Sequence, residues 1–336
     1  MMSGDAADGL ASYDLTQPVE IFALSGAVGI NNHVRGVRTG AGDFAWKTYL
    51  SHRDPATIRY EHRLLAWLAG QSLPFATPLP VPTRSGDTLS PTPDGTRWQA
   101  LFAWLPGAHL DRDDPALIKA FGAALGELHG ALARYPSERR PGFDDYAALN
   151  HLHPNIPDSF ALTPAHLGAP PTDANTALLA WWRETLNTLR VFIDGPYRTL
   201  PRQVIHGDVT PGNAFADGGE ITALFDFEFA TSDVRAIDVA SGLVFTMRIW
   251  ERDAPTALLM ARRFRDGYAR RSKLTTAEIA ALPELMLLRD VVGAIWWLGR
   301  DLAAGDTRGS VERIVEVQRR ARWLARHAAA FRDAVR

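Results

Sequence analysis

The stretch VIHGDVTPGNAFADGGEITALFDFE, residues 204–228, gathers a histidine, an amide and several carboxylates in one short length of chain. Its notable side chains can bind a cation or move a proton, and they are His206, Asp208, Asn213, Asp226 and Glu228. Carboxylates directed at one point repel each other unless a positive charge lies between them. The stretch therefore predicts a bound cation, with one carboxylate left over for chemistry.

Two pieces of chain carry these groups. Asp208 and Asn213 are separated by Pro211 and Gly212 among others, which excludes a helix and predicts a loop. The run ITALF then reads as a strand that ends at Asp226. A carboxylate and an amide oxygen suit Mg²⁺, which keeps water and substrate phosphates as its other ligands. Asn213 and Asp226 are therefore predicted metal ligands, and Asp208 is left to accept the proton of an attacking hydroxyl in phosphoryl transfer.

The composition is that of an ordinary globular protein, and a cytoplasmic location is expected. The 336 residues suffice for about two domains. The net charge is −2 and no basic tract stands out, so nucleic acid is not an expected partner. The lack of cysteine excludes disulfides, thiolate metal sites and cysteine nucleophiles. The N-terminus does not resemble a signal peptide, and the apolar runs are shorter than the ~18–20 residues of a membrane span, so no membrane partner is expected.

The predicted secondary structure changes from mainly strands to mainly helices near residues 103–107. Up to residue 104 it reads as short strands, including LPVPT at 79–83, with one helix from about Pro55 to Gly70. Residues 136–172 are loop-like and rich in proline and histidine. The predicted helical segments beyond Pro106 are 115–135, 174–193, 236–250, 254–271, 276–303 and 308–333. These two patterns predict an α+β fold with a β-rich lobe at residues 1–104 and a helical lobe at residues 105–336.

The pattern H-G-D-x4-N, followed by a strand and D-F-E, resembles the kinase-like phosphotransferases, which include aminoglycoside phosphotransferases, choline kinase and homoserine kinase. The resemblance covers roughly residues 20–330 and is most specific in the quoted stretch. Protein kinases have H-R-D-x4-N and D-F-G at these places, whereas this chain has Gly207 and Glu228. Because the arginine that usually pairs with an activation-loop phosphate is missing, a small-molecule kinase without a phosphorylation switch is favoured.

The resemblance implies a bilobal protein-kinase-like fold, with a small antiparallel sheet and one helix in the nucleotide-binding lobe and a larger, mainly helical catalytic lobe that binds the acceptor. It implies ATP and Mg²⁺ as cofactors, and transfer of the γ-phosphoryl group to a hydroxyl of a small molecule, with Asp208 as the base. Lys47, in the third strand-like run DFAWKTYL, would hold the α/β-phosphates. Glu61, in the helix TIRYEHRLLAWL, would orient that lysine.

Further nucleotide contacts are implied by position. The segment SGAVGINN lies between the first two strand runs, where a phosphate-covering loop belongs. The residues expected to offer backbone N–H groups to phosphate are Ser25, Gly26 and Gly29. By similarity, LFAWLPG is the hinge beside the adenine ring. Ala103 and Leu105 would contact adenine through their backbone, and Phe102 would line the pocket.

Other interpretations stay open. A non-catalytic pseudokinase would keep the nucleotide motifs without turnover, and a sugar kinase would share the fold. A metal-dependent phosphoesterase would explain the carboxylates but would leave Lys47 and Glu61 without a role. Glu228 either supports the metal site or lies close to the metal.

Several neighbouring residues are interpreted as structural. His206 and Asp238 are expected to hold the catalytic loop by hydrogen bonds. The histidine-rich segment HLHPN, residues 151–155, reads as a solvated loop in preference to a transition-metal site. Trp296 and Trp297 read as helix core in preference to the wall of an acceptor pocket.

The acceptor is expected to be an amine-bearing alcohol of the homoserine, choline or aminoglycoside type, with homoserine as the leading small example. Four carboxylates would make the acceptor region negative if they face it: Asp144, Asp145, Glu228 and Asp233. A negative region beside an aromatic ring suits an ammonium group, with a cation–π contact of ~0.5–2 kcal/mol. The oligomeric state stays open.

Overall fold

The computed structural model describes residues 9–24, 31–136, 140 and 145–336. Ser25, Gly26, Gly29 and Asp144 lie outside the described residues, so the expectations placed on them stay predictions. The chain divides into two compact units. Unit 1 comprises residues 1–110, 139–143 and 213–230, and unit 2 comprises residues 111–138, 144–212 and 231–336. Unit 1 thus includes the segment that begins at Asn213, and the boundary between residues 104 and 105 stays a prediction about the lobes.

The secondary structure of the described residues is mixed. The strands are β1 Val19–Ala23, β2 Asn32–Thr39, β3 Gly42–Tyr49, β4 Ser90–Pro91, β5 Trp98–Ala103, β6 Ala108–His109, β7 Arg202–Ile205, β8 Ala214–Asp217, β9 Glu220–Leu224 and β10 Thr231–Val234. The helices of at least eight residues are α1 Pro55–Ala69, α2 Pro115–Leu132, α3 Asp173–Asp194, α4 Ala236–Met247, α5 Ala254–Tyr268, α6 Thr276–Ala304, α7 Ser310–Arg326 and α8 Ala328–Val335. The predicted α+β class, with a small antiparallel sheet and a larger helical portion, is confirmed.

Unit 1 is built on a five-stranded antiparallel sheet in the order β1-β2-β3-β5-β4. Lys47 lies on the middle strand β3, where it pairs with Val34 on β2 and with Ala100 on β5. Helix α1 begins where Asp54 accepts a hydrogen bond from the Ala56 N–H, and it ends before Gly70. The predicted helix in this unit is therefore confirmed at both ends.

A second sheet of unit 1 has the order β6-β8-β9, and its β8–β9 hairpin carries the end of the quoted stretch. The turn of this hairpin contains Gly218 and Gly219, both with positive φ, as a two-residue turn of this kind requires. The strand predicted in ITALF is confirmed as β9. The strand predicted at 79–83 is wrong, because only Pro80 forms an isolated bridge there and its two prolines lack the N–H of a ladder.

Unit 2 consists of helices α2 to α8 and the two-stranded pair β10-β7. Helices α2 and α5 pack with their backbones in close approach, since a Cβ on Gly122 or Gly267 would meet the backbone of the facing helix. The segment predicted as one helix at 308–333 is two helices, because the chain leaves helical geometry at His327, with φ −108° and ψ 18°. Within the described ranges, no helix is both long and apolar enough to cross a membrane.

Candidate active site

The loop that carries Asp208 is held by a buried carboxylate in unit 2. Asp238, in the first turn of α4, accepts the His206 N–H at 2.7 Å and the Gly207 N–H at 2.9 Å. His129 from α2 lies 3.1 Å from the same carboxylate, which is fully buried. Two backbone donors satisfy a charge that would otherwise be costly to bury. The structural role predicted for Asp238 is confirmed.

The same loop is further shaped by local hydrogen bonds. Gly207 adopts φ 83°, a conformation that side chains other than glycine rarely take. The Tyr146 hydroxyl donates to the Gly207 carbonyl, and the Asp208 N–H donates to His206 Nδ1 at 3.2 Å. His206 therefore accepts a hydrogen bond that fixes the loop, as predicted. The glycine of H-G-D is favoured because position 207 has a positive φ.

The Asp208 side chain, a quarter exposed, contacts a cation that the sequence did not predict. Arg289 on α6 donates from Nη2 to Asp208 Oδ1 at 3.0 Å. Its Nε lies 3.3 Å from the hydroxyl of Ser241, which itself donates to the Val209 carbonyl at 3.0 Å. No motif signals this contact, because an arginine in an amphipathic helix is ordinarily solvated.

In unit 1, the predicted lysine and glutamate meet. Lys47 Nζ lies 3.5 Å from Glu61 Oε1, 3.5 Å from Asp226 Oδ1 and 3.9 Å from Glu228 Oε2. Burial alone would lower the pKa of Lys47, but these three carboxylates raise it above its ordinary value. Burial would likewise raise the pKa of Glu61, and Lys47 lowers it instead. Lys47 is therefore held as a charged ammonium in the interior of the unit.

Asp226 and Asn213 lie at neighbouring ends of one hairpin. Ala214 pairs with Leu224, and the next residue, Phe225, donates its N–H to the Asn213 carbonyl at 3.0 Å. Asp226 follows with φ 67° and ψ 59°, a left-handed conformation that is strained for a residue other than glycine. The backbone therefore brings the two predicted metal ligands close together.

The chemistry of these donors fits Mg²⁺. Asp226 is one-third exposed, and the carboxylates around Lys47 outnumber the local cations. An aspartate and an asparagine amide offer the hard oxygen ligands that Mg²⁺ prefers, with water and phosphate completing the shell. In the part of the chain that the structure describes, no group of three or more His, Cys, Asp or Glu side chains is arranged to hold a metal by itself. Two protein ligands would leave the other positions of a Mg²⁺ shell to water and phosphate.

Glu228 is clamped by two amides that sequence reasoning missed. Asn31 Nδ2 donates to Oε1 at 2.8 Å, and Asn32 Nδ2 donates to Oε2 at 2.6 Å. His52 Nε2 lies 3.6 Å from Oε2, and burial lowers the pKa of His52 to about 4, so this ring is neutral at pH 7. Only 1% of the Glu228 side chain is exposed. Glu228 therefore braces the turn at Asp226 from the interior of unit 1.

The expected adenine contacts lie at the end of β5. Phe102 is buried and its ring meets the His62 ring edge-on at a centroid distance of 5.3 Å. The Ala103 N–H donates to the Leu79 carbonyl at 2.9 Å, so an adenine contact at Ala103 requires its carbonyl. Leu105 lies beyond the strand and is partly buried. The adenine contacts themselves stay predictions.

The carboxylates expected to make the acceptor region negative are engaged within the protein. Asp233 is fully buried and accepts the Tyr197 hydroxyl at 2.6 Å, and Asp145 pairs with Arg202 at 3.2 Å. Glu228 is held by the asparagine amides described above. Glu228 and Asp233 are therefore buried and do not present an exposed charge, Asp145 is ion-paired, and the expectation for Asp144 stays a prediction.

The histidine-rich segment and the tryptophan pair have packing roles in unit 2. His153 packs against Gly299 on α6, and Asn155 donates to the Gly299 carbonyl at 3.2 Å, which supports a structural loop. Trp296 and Trp297 are only half-buried, and an arginine lies 4.7 Å from the ring centroid of each. The tryptophans therefore cover the helix surface and do not form its core.

Known proteins are similar to this chain in sequence. A profile described as the phosphotransferase enzyme family, APH, matches residues 27–280. The homoserine kinase of Caulobacter sp. (strain K31) is 33% identical over 281 residues, which cover 82% of this chain and 79% of that kinase. The homoserine kinase of Acidiphilium cryptum (strain JF-5) is 30% identical over 276 residues, with 82% and 79% covered.

Solved structures support the kinase-like fold. A microcompartment-associated aminopropanol kinase superimposes with a TM-score of 0.72 at 20% identity, covering 98% of each chain. Amicoumacin kinase hAmiN superimposes with a TM-score of 0.68 at 18% identity, covering 97% of this chain and 93% of that kinase. At such low identity these two likenesses bear on the fold alone. The profile match and the homoserine kinase relatives establish that this chain belongs to the APH family of phosphotransferase enzymes.

Proposed function

We propose that this phosphotransferase uses ATP and Mg²⁺ to phosphorylate the hydroxyl of a small amine-bearing alcohol, with homoserine as the leading acceptor. The family membership makes it a kinase that acts on an alcohol group. Homoserine ranks first because relatives at 30–33% identity over 82% of the chain are named homoserine kinases. We also propose a cytoplasmic location, because the donor ATP is a cytoplasmic nucleotide.

The observation that carries the proposal is the buried cluster in which Lys47 meets Glu61 and Asp226. In the proposed reaction Lys47, oriented by Glu61, binds the α/β-phosphates. Asn213 and Asp226 hold Mg²⁺, which neutralises phosphate charge when it is bound. The solved amicoumacin kinase contains AMP-PNP and Ca²⁺, so a protein of this fold binds a nucleotide with a divalent cation.

Asp208 is the proposed base. Its carboxylate accepts the proton of the acceptor hydroxyl while the hydroxyl oxygen attacks the γ-phosphorus, and the bond between that phosphorus and ADP breaks, so that ADP leaves. The hydrogen bonds to Asp238 and His206 hold the backbone that leads into Asp208, and the Ser241 hydroxyl holds the Val209 carbonyl that follows it. Because the loop around Asp208 is already ordered, less conformational freedom has to be lost when the reaction takes place.

The test is ADP release from the full-length protein with ATP and Mg²⁺, measured separately with homoserine, choline, an aminoglycoside and neutral sugars of similar size. We expect turnover that depends on an amine-bearing alcohol and is highest with homoserine. Turnover with neutral sugars alone would show that the acceptor is a sugar and not an amine-bearing alcohol. ADP release that needs no acceptor would indicate a phosphoesterase-like activity, and no turnover with any acceptor would indicate a pseudokinase.

A further inference from the structure

The guanidinium of Arg289 is fixed beside the proposed base by three contacts within unit 2. Nη2 donates to Asp208 Oδ1 at 3.0 Å, Nε lies 3.3 Å from Ser241 Oγ, and the guanidinium carbon lies 5.2 Å from the centroid of the Phe245 ring. The side chain is 15% exposed. A long, flexible side chain held in this way presents its remaining donors in a set direction.

The remaining donors are the second N–H of Nη2 and the two N–H groups of Nη1. Within the described residues, Nη1 of Arg289 makes no hydrogen bond to protein. Gly293 lies one helical turn further along α6, and a Cβ at that position would lie 2.9 Å from Nη1. Glycine at 293 therefore spares Nη1 the side-chain contact that any other residue at this position would make.

Any acceptor hydroxyl that gives its proton to Asp208 must lie close to this guanidinium, because the two side chains are in contact. The carboxylates on α6 and β10 have protein partners of their own, and Asp208 and Asp290 also attract the guanidinium and, against the effect of burial, raise the pKa of Arg289. The pairs with protein partners are Asp290 with Arg320 at 2.8 Å, Asp301 with Arg313 at 2.7 Å and Asp233 with Tyr197 at 2.6 Å. On the Arg289 side of the Asp208–Arg289 pair an acceptor ammonium would be repelled, whereas an acceptor carboxylate would be attracted.

We infer that Arg289 binds a carboxylate of the acceptor, beside the hydroxyl that Asp208 deprotonates. The acceptor is accordingly a hydroxy amino acid, not an amino alcohol without an acid group. This inference rests on the proposed function, and it makes Arg289 the residue that selects among amine-bearing alcohols. A guanidinium recognises a carboxylate through directed, charge-assisted hydrogen bonds, which a lysine ammonium does not reproduce.

The test compares homoserine with 3-amino-1-propanol, which lacks the carboxylate, in wild type, Arg289→Gln and Arg289→Lys. We expect wild type to have at least a tenfold lower KM for homoserine. Arg289→Gln should raise the KM for homoserine by about 10–100-fold, the scale of a hydrogen bond to a charged group, and change the KM for 3-amino-1-propanol much less. Arg289→Lys should recover part of the loss. Arg263→Gln, an exposed change on α5, is the matched control.

The outcomes separate this inference from the proposed function. Equal loss of kcat for both acceptors with KM unchanged would mean that Arg289 acts only by orienting Asp208, and would overturn the inference. So would wild-type preference for 3-amino-1-propanol over homoserine, although the kinase assignment would stand. The wild-type comparison decides the matter even if Arg289→Gln does not fold. Phosphorylation of neither compound would overturn both the inference and the proposed acceptor class.

Discussion

Asn32 Nδ2 donates a hydrogen bond of 2.6 Å to Glu228 Oε2, although the two residues stand 196 positions apart in the chain. Asn31 donates to the other oxygen of the same carboxylate at 2.8 Å. The start of β2 is therefore tied to the turn that follows Asp226, within one unit. The glutamate of D-F-E therefore has a structural role: Glu228 fixes the turn that carries Asp226, the proposed metal ligand.

The first prediction concerns this clamp. Asn32→Ala leaves a buried carboxylate oxygen without its shortest donor, so the free energy of unfolding should fall by about 1–3 kcal/mol. Chemical denaturation followed by circular dichroism measures the change. Asn187→Ala on the exposed face of α3 is the control and should change stability by no more than about 0.5 kcal/mol. Equal stability of the two variants would show that the clamp contributes nothing.

The second prediction concerns the metal. Asp226→Ala should weaken ATP binding in Mg²⁺ by about tenfold or more, because a charged contact is lost. In EDTA the same change should matter much less, since without a cation a carboxylate repels the triphosphate. Isothermal titration calorimetry with and without Mg²⁺ measures both. Asp217→Ala, an exposed change at the tip of the same hairpin, serves as the control. Equal losses under both conditions would rule out Asp226 as a ligand.

The third prediction concerns acid stability. Burial lowers the pKa of His62 from 6.5 to about 4, and its ring nitrogens lie 3.0 Å from the Tyr49 hydroxyl and 2.7 Å from Thr88 Oγ1. Between those two pH values the unfolded chain binds a proton at this position and the folded protein does not. Stability should therefore fall as the pH drops from 6.5 to about 4.

In His62→Gln this acid-dependent loss should shrink, by about 2–3 kcal/mol across the interval, because the substituted residue does not titrate. The slope of the free energy of unfolding against pH is the readout, since the substitution also changes the absolute stability. His33→Gln, at an exposed position, is the control. A slope in His62→Gln identical to wild type would contradict the assignment.

Local patterns were enough to predict much of the fold. The apolar spacing of α1 and its Pro55 start predicted that helix, and the run ITALF predicted strand β9. The errors have local causes as well. In the run at 79–83 the Val81 N–H donates to the Leu101 carbonyl, but Pro80 and Pro82 lack the N–H groups that would extend the ladder. The periodicity of 308–333 runs through His327, where backbone geometry and not side-chain polarity ends the helix.

The parts of the site that escaped prediction all depend on long-range contacts. Arg289 lies 81 positions from Asp208, and the asparagines that hold Glu228 lie nearly 200 positions away. Arginine and asparagine are common on exposed surfaces, so their residue type gives no signal until the fold brings them to a carboxylate. By contrast, Lys47 and Glu61 were predictable because the resemblance specifies a strand and a helix for them.

The central claim is that Asp208 is the base of a phosphotransferase, and Asp208→Asn tests it most directly. The amide keeps the size of the side chain but cannot accept the proton, so ATP binding should be retained. The kcat for homoserine phosphorylation should fall by ~10²–10⁴-fold. Asp145→Asn, which changes a partly buried carboxylate outside the catalytic loop, should keep turnover near wild type. Measured by ADP release at saturating ATP, full wild-type turnover in Asp208→Asn would contradict the account.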